Sequence, residues 1–265
     1  MSTDKVKVQI DSRGVATVTL NNADKHNAFD DVIIAELDRQ FAALAENDDV
    51  RVVILAAEGR SFSAGADLGW MKRMATYSYD ENLRDATALA EMLRKLNYMP
   101  QPTIARVQGA AFGGAVGLVS CCDMAVGSTR ASFCLSEVKI GLIPATISPY
   151  VINAIGQRAA RRLFTTAERF DAKTALQLNL LSKVVDEEDL DTELEWMVDS
   201  LLANSPQAIR AAKQLVFNVA NKEFSGELME YTSEQIAAIR VSEEGQEGLQ
   251  AFLEKRKPSW QQSSD

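Results

Sequence analysis

The first twenty residues contain two short runs in which apolar and polar side chains alternate. One run covers residues 5–10 and the other covers residues 15–20, with a turn-forming Asp-Ser-Arg-Gly segment at 11–14 between them. Successive side chains of a strand point to opposite faces of a sheet, so strict alternation is typical of half-buried strands. The pattern therefore predicts a β-hairpin at the start of the fold, followed by a polar loop at 21–27.

From residue 30 onwards, helical and strand patterns take turns. Asp30 is suited to cap a helix in which every third or fourth residue is apolar, namely Ile33, Leu37, Phe41 and Leu44. A continuous apolar run at 52–55 is typical of a strand buried on both faces. A second helical stripe follows, and then further predicted strands: Leu83, Ala86, Ala90 and Leu93 for the helix, 103–107, 124–126 and 132–135 for the strands. This order predicts an α/β fold with parallel strands.

Near Pro144 the pattern changes, because strand signals become rare and helical ones dominate. Ser205 and Pro206 supply a cap and a first turn for a helix that ends near residue 220, and helical periodicity returns at 228–241 and 244–255. No low-complexity linker separates the two halves, and the sequence shows no clear internal repeat. We expect a core over residues 1–200 and a helical region over residues 201–265, packed on the core or on a neighbouring subunit.

Composition and charge narrow the function classes. The chain has 265 residues, of which 46% are hydrophobic, and a formal net charge of -9 at pH 7. An acidic surface repels phosphate backbones, and the first predicted helix contains a single arginine, so binding of nucleic acid is disfavoured. The most apolar stretch, 109–122, is glycine-rich and too short to span a bilayer. The first residues lack the apolar segment of a secretory signal, so we expect a cytoplasmic protein.

Cysteine and histidine usage argues against a metal centre. Cys121, Cys122 and Cys134 have no metal-type spacing, and His26 is the single histidine. Small buried thiols in a reducing compartment explain the cysteines. A Ser-His-Asp hydrolase is an alternative class, but no serine stands in a nucleophile-elbow context.

Three segments depart from the pattern of a plain core. The first, 61–68, follows the buried strand at 52–55, and the second, 109–117, follows the strand that ends at Val107; both are rich in small residues. Such turns expose backbone N–H groups and allow a ligand to come close, although tight connections also use them. The third segment places Glu137 among apolar neighbours just after a strand. A desolvated carboxylate there could act as a general acid or base, although an isolated loop glutamate is more often a surface residue.

Taken together, the three segments suit the chemistry of an enolate. A thioester carbonyl gains negative charge when a proton leaves C2 or when a nucleophile adds at C3. Two fixed N–H donors stabilise that charge, and the loss of one such donor typically costs roughly 3 kcal/mol. A nearby carboxyl group would move the protons.

The ordered set of motifs resembles the crotonase superfamily, the enoyl-CoA hydratases and isomerases. The residues that carry the resemblance are 63–68, 109–114, Glu137 with 141–144, and a frame at 27–29, 208–213 and 247–256. The resemblance extends over nearly the whole chain. It implies a spiral of ββα units with a C-terminal helical trimerisation region, and a homotrimer or dimer of trimers. It also implies an acyl-CoA substrate and no separate cofactor, since coenzyme A is part of the substrate.

The resemblance also implies roles for individual residues. The N–H groups of Ala66 and Gly114 would form the oxyanion hole, and Glu137 would be the catalytic acid and base. The coenzyme A moiety would bind along the first segment and the loop before the first helix, at Ala64, Gly65, Ala66, Asp67, Leu68, Lys25 and Ala28.

One position departs from the best-known hydratases of this superfamily. They carry a further glutamate three residues after the second oxyanion glycine, where this chain has Gly117. The segments 112–118, 133–138, 144–149 and 167–170 are similar to bacterial hydratases that act on branched glutaconyl-CoA esters, including 3-methylglutaconyl-CoA. We therefore favour hydration with Glu137 alone. An isomerase that moves a double bond from C3 to C2 is the alternative, and Arg84 is a candidate cation for a second substrate carboxylate.

Overall fold

The structure, a computed structural model, describes residues 4–261 of the chain. The predicted hairpin is present as β1 (Val6–Ile10) and β2 (Val15–Leu20), paired antiparallel with Val8 opposite Val18. Its turn is held by the Asp11 carboxylate, which accepts hydrogen bonds from the backbone N–H groups of Arg13 and Val15 at 2.9 Å each. Residues 1–3, on which the expected lack of a secretory signal partly rests, lie outside the described residues.

The hairpin is the edge of a six-stranded sheet within residues 4–261. The other strands of this sheet are β3 (Val52–Ala57), β4 (Thr103–Val107), β6 (Met124–Ser128) and β9 (Lys183–Val185). The strand order is β1-β2-β3-β4-β6-β9, and the pairs after β1–β2 are parallel. All six residues of β3 are buried, which confirms the prediction made from its continuous apolar run. The sequence pattern missed β9.

A second, smaller sheet lies beside the first. It consists of β5 (Ala110–Phe112), β7 (Ser132–Cys134) and β8 (Phe170–Asp171), in the order β5-β7-β8. Two isolated bridges extend it, Phe29 with Ala66 and Ser63 with Ala111. Each turn of the chain thus adds one strand to the large sheet and one short extended segment to the small layer before a helix. This arrangement confirms the expected α/β spiral of ββα units, although no sequence repeat marks it.

Ten α-helices lie within the described residues. They are α1 (Asp31–Ala45), α2 (Leu68–Met74), α3 (Tyr79–Asn97), α4 (Gly114–Cys121), α5 (Ser148–Thr166), α6 (Ala172–Gln177), α7 (Leu190–Leu202), α8 (Pro206–Val219), α9 (Gly226–Val241) and α10 (Glu243–Glu254). The prediction for α1 is confirmed: Asp30 accepts a hydrogen bond from Ile33 N–H at 3.0 Å, and the predicted apolar stripe is buried.

The stripe predicted for α3 is only partly correct. Leu83 is exposed, and the buried face of the helix instead runs through Met92, Leu93 and Leu96. The first half of α3 therefore lies away from the main core. The short helix α2 was not predicted, because its seven residues include Gly69 and the two cations Lys72 and Arg73 and show no clear apolar period.

The helical region after residue 201 is present as α8, α9 and α10. The expected boundary between residues 200 and 201 falls inside α7, and α8 begins at Pro206 with Ser205 as its cap, as predicted. Lys213 attaches α8 to the sheet, since its Nζ donates to Asp123 Oδ2 at 2.7 Å and to Gln101 O at 3.0 Å. None of the helices within residues 4–261 combines the length and the apolar content that crossing a membrane requires.

Replacement of Lys213 by methionine is expected to lower the free energy of unfolding by about 1–3 kcal/mol, because the Asp123 carboxylate loses the charged hydrogen-bond donor of a mostly buried lysine. Urea denaturation measures the change. Lys173→Met on α6, where the side chain is exposed, is the control and should leave stability nearly unchanged. Equal stability of the two variants would contradict an anchoring role for Lys213.

Candidate active site

The first glycine segment turns sharply after β3. Gly65 has a φ of +88°, and a side chain there would strain the backbone. Buried Ser63 fixes the turn, since its hydroxyl donates to Asn27 O at 2.8 Å and accepts from Gly65 N–H at 3.1 Å. Ala66 N–H donates no hydrogen bond to any of residues 4–261. The turn therefore leaves one fixed backbone donor without a protein partner.

The second glycine segment leads from β5 into α4. Gly113 has a φ of +54°, and its N–H donates to Cys134 O at 2.8 Å, which continues the pairing of β5 with β7. Its carbonyl accepts from Val116 N–H in the first turn of α4. Gly114 is the first residue of α4, and its N–H has no acceptor among the described residues. A helix N-terminus carries partial positive charge, so this donor suits a developing anion.

The two segments are in direct contact. A Cβ atom added to Gly65 would lie 2.7 Å from Phe112 O and 4.0 Å from Gly113 Cα. A Cβ atom on Gly109 would lie 2.0 Å from Arg60 O, so the two segments are also closely packed where they begin. The predicted convergence of the two strand ends is thus present, and the glycines are required by close backbone approach.

Glu137 lies in the loop after β7, at the start of a short 3-10 helix that ends at Ile140. Its Oε1 is 3.3 Å from the position that a Cβ atom on Gly113 would occupy. Its Oε2 is buried and has no hydrogen-bond partner within residues 4–261. The carboxyl group is therefore adjacent to the second glycine segment, and its buried Oε2 is unpaired.

Burial raises the pKa of Glu137, and its own backbone N–H acts in the opposite direction. Four side chains of its loop are apolar and exposed, namely Val138, Ile140, Leu142 and Ile143. A carboxyl group in such surroundings holds its proton more tightly than one in water. The raised pKa suits a group that both accepts and returns a proton.

Gly117 has no room for a side chain. A Cβ atom there would lie 2.2 Å from Ile147 Cγ2 and 2.7 Å from Ile147 Cβ. Ile147 is 2% exposed and precedes α5. An isoleucine side chain therefore fills the space that a side chain at position 117 would enter.

Gly117→Glu is expected to destabilise the protein by about 1–3 kcal/mol, the usual cost of overpacking a closed site, without increasing turnover. The double variant Gly117→Glu with Ile147→Ala should recover part of that stability. Gly226→Glu, in the first turn of α9 with no atom within 4 Å, is the matched control. Chemical denaturation compares the variants, and unchanged stability of Gly117→Glu would rule out the tight packing.

The residues expected to bind coenzyme A lie together along one edge of this site. Lys25 Nζ is 3.1 Å from Asp67 Oδ2, and Asp67 Oδ1 caps α2 by accepting from Gly69 and Trp70 N–H. The N–H of Ala64 donates to His26 O at 2.9 Å, which joins the loop before α1 to the first segment. Ala64 and Leu68 are exposed, whereas Gly65 and Ala28 are buried.

The hydrolase alternative meets an obstacle at His26. Its Nδ1 lies 3.2 Å from Ser61 Oγ, but its Nε2 faces the Arg60 guanidinium at 3.4 Å. A triad needs a carboxylate behind the imidazole. None of residues 4–261 supplies a carboxylate that bonds to this ring.

The position of Arg84 does not favour its suggested role. It is exposed on α3, close to Glu81. The residue after it, Asp85, faces inward and accepts a hydrogen bond from Trp70 Nε1 at 3.1 Å. Burial raises the pKa of Asp85. No sequence pattern indicates this contact, because it joins two helices whose relative position depends on the tertiary structure.

Comparison with known proteins places this geometry in context. The enoyl-CoA hydratase/isomerase family model matches residues 11–263. The mitochondrial enoyl-CoA hydratase domain-containing protein 3 of Xenopus laevis is 30% identical over 94% of this chain and 84% of its own length. The crystal structure of an enoyl-CoA hydratase from Shewanella pealeana is 50% identical, with a TM-score of 0.93 over 97% of this chain and 96% of that one. An enoyl-CoA hydratase structure from Mycobacterium smegmatis is 32% identical, with a TM-score of 0.92 over 98% of this chain and 100% of that one.

Proposed function

Because the chain belongs to the enoyl-CoA hydratase/isomerase family, we propose that it adds water to the double bond of a 2-enoyl-CoA thioester. The observation that carries the proposal is the buried and unpaired Oε2 of Glu137, in a carboxyl group adjacent to Gly113. A buried polar atom without a partner is costly, and a catalytic role is one explanation for it; in Glu137 the atom also lies beside the second glycine segment.

In the proposed reaction, the thioester oxygen accepts hydrogen bonds from Ala66 N–H and Gly114 N–H. Glu137 removes a proton from water, and the water oxygen forms a bond to C3. The electron pair of the double bond moves towards the carbonyl, and the two N–H donors stabilise the enolate oxygen. The protonated Glu137 then gives its proton to C2, which regenerates the carboxylate. One water is added, and no other group is consumed.

The raised pKa of Glu137 supports its double task. A carboxyl group with an ordinary pKa accepts a proton from water poorly and releases it readily. Burial raises the pKa of Glu137. It thereby reduces the difference in pKa between this carboxyl group and the water and C2 carbon with which it exchanges protons. Below the raised pKa the group is protonated and cannot activate water, so turnover should fall on the acid side.

Isomerisation is the second candidate function, and the closed space at Gly117 is the observation that favours it. Ile147 fills that space, so a second carboxylate cannot be added there without repacking. Moving a double bond from C3 to C2 needs one proton carrier, whereas hydration in the two-carboxylate form uses a second group to orient water. We favour hydration, with Glu137 alone handling the proton, because a double bond conjugated to a thioester is already electrophilic.

Within the hydratase proposal, the substrate is a branched acyl-CoA such as 3-methylglutaconyl-CoA, and coenzyme A is bound as part of the substrate without a further cofactor. The Lys25–Asp67 pair, together with Ala64, Gly65, Leu68 and Ala28, forms the coenzyme A contact. The active form is a homotrimer or a dimer of trimers. Large exposed apolar side chains on the last two helices support self-association, namely Val241, Leu249, Phe252 and Leu253.

The test is an assay of the purified protein with a panel of enoyl-CoA esters that includes 3-methylglutaconyl-CoA and a 3-enoyl-CoA. Hydration removes the absorbance of the conjugated thioester. Gain of that absorbance from the 3-enoyl substrate would instead establish isomerisation. Thioester hydrolysis would also remove that absorbance, but it would release free coenzyme A, and such release would overturn the proposal.

A further inference from the structure

Phe29 contacts both glycine segments of the site. It follows Ala28 in the loop before α1, and it is 1% exposed. Its main chain forms a bridge with Ala66, and its ring lies against Gly114. In the sequence, Phe29 belongs to the frame at 27–29 that carries part of the family resemblance, and no local pattern indicates a separate role for it.

The main-chain contact orients the first donor. Phe29 N–H donates to Gly65 O at 2.9 Å, and Phe29 O accepts from Asp67 N–H at 2.9 Å. Gly65 C=O and Ala66 N–H belong to the same trans peptide group, in which they point in opposite directions. Because Phe29 holds that carbonyl, Ala66 N–H must point away from the Phe29 backbone.

The ring contact limits the position of the second donor. A Cβ atom on Gly114 would lie 2.7 Å from Phe29 Cζ and 3.3 Å from Cε2, so the ring edge is in van der Waals contact with the glycine backbone. The ring cannot retreat easily, because it is buried in the main hydrophobic core. One residue therefore fixes one amide through hydrogen bonds and limits the other through its ring.

We propose that Phe29 is a positioning residue that sets the separation between Ala66 N–H and Gly114 N–H. The inference rests on the proposed function, which assigns those amides to the thioester oxygen. Donors of this kind act only within a narrow range of geometry, about 0.5 Å. A side chain shorter than phenylalanine would let the start of α4 move towards the first segment, whereas the main-chain bridge would persist.

The first experiment compares Phe29→Leu with Phe41→Leu. Phe41 is equally buried in the same core but lies on α1, so its replacement controls for loss of packing. We expect Phe29→Leu to lower kcat by about ten- to a hundredfold with little change in KM, since misplacement of catalytic groups by about 1 Å has costs of this order. Phe41→Leu should lower stability to a similar degree and leave kcat within about twofold.

A spectroscopic measurement follows the two donors directly. A conjugated dienoyl-CoA bound to the wild type should absorb at longer wavelength than in water, because the N–H donors polarise its carbonyl group. Phe29→Leu should reduce this red shift, and Phe41→Leu should preserve it. If the wild type hydrates no enoyl-CoA, the proposed function fails, and the spectra still decide the role of Phe29.

A paired substitution completes the test. Gly114→Ala places a methyl group against the Phe29 ring and should abolish most of the turnover. In the double variant Gly114→Ala with Phe29→Leu, the smaller leucine side chain should make room for that methyl group. Its kcat should be at least tenfold higher than that of Gly114→Ala alone. Unchanged kcat and red shift in Phe29→Leu, with no recovery in the pair, would overturn the proposal.

Discussion

Glu137→Gln is expected to lower kcat by about 10²–10⁴-fold, the range that a positioned acid and base contributes, while making the protein more stable at neutral pH. The amide keeps the size of the side chain but cannot take a proton from water. Steady-state kinetics on an enoyl-CoA that the wild type hydrates gives the first result. Near-normal turnover would remove Glu137 from the mechanism.

The gain in stability follows from the direction of the pKa shift. Burial raises the pKa of Glu137, so the folded state binds the proton more tightly than the unfolded state, whose glutamates titrate at about 4.3. The contribution of Glu137 to stability is therefore highest at low pH and decreases as pH rises through its raised pKa. Above that range the wild type carries an uncompensated charge that the glutamine lacks, so thermal unfolding of Glu137→Gln should occur at a higher Tm.

The matched control is Glu193→Gln. Glu193 lies on α7 and forms an ion pair at 2.8 Å with Lys183, the first residue of β9. Its loss should leave kcat unchanged and should not raise Tm, because the carboxylate is paired. The acid limb of the pH–rate profile of the wild type should lie at a higher pH than the pKa of an ordinary glutamate. An acid limb at an ordinary glutamate pKa would contradict the effect of burial.

Gly65→Ala is expected to have the second large effect, a loss of about 10²–10³-fold in kcat, the magnitude of losing one oxyanion donor. The added Cβ atom would meet Phe112 O at 2.7 Å, and this neighbour is a backbone atom that cannot rotate away. The positive φ of Gly65 adds about 1–2 kcal/mol of strain. Relief of both effects requires the two glycine segments to move apart, which separates their N–H groups.

Gly156→Ala is the control that distinguishes backbone strain at a positive φ from displacement of the two glycine segments. Gly156 also has a positive φ, +77°, but a Cβ atom there would meet nothing within 4 Å. This variant should lose stability and retain kcat. Kinetics and thermal unfolding of both variants provide the comparison. If Gly65→Ala lost no more activity than Gly156→Ala, the contact between the two segments would have no part in catalysis.

Much of the site could be predicted from the chain. The positions of Ala66 and Gly114 after two buried strands, and of Glu137 after a third, followed from local patterns and from the ordered motifs. Parallel strands end at the same edge of a sheet, so segments that follow them must meet. The confirmed elements, such as α1 with its Asp30 cap and the buried strand β3, depend on interactions between residues near each other in sequence.

Other features could not be predicted, because they depend on contacts between distant residues. The exposed position of Leu83, the Trp70–Asp85 hydrogen bond and the small sheet with its bridges all require the relative placement of whole helices and strands. The same holds for Ile147, which lies thirty positions from Gly117 in the chain and yet fills the space beside it.

The sequence by itself determined the α/β class, the alternation of strands and helices in the first half, the two glycine segments and the glutamate, because periodicity and turn chemistry are local properties; the ββα spiral was implied only by the family resemblance. Only the tertiary structure decided that Oε2 of this glutamate is buried without a partner, that Gly117 has no space for a side chain, and that Phe29 contacts both donor segments. The physical reason is that desolvation and close packing are sums over neighbours from the whole chain, and a local pattern does not contain them.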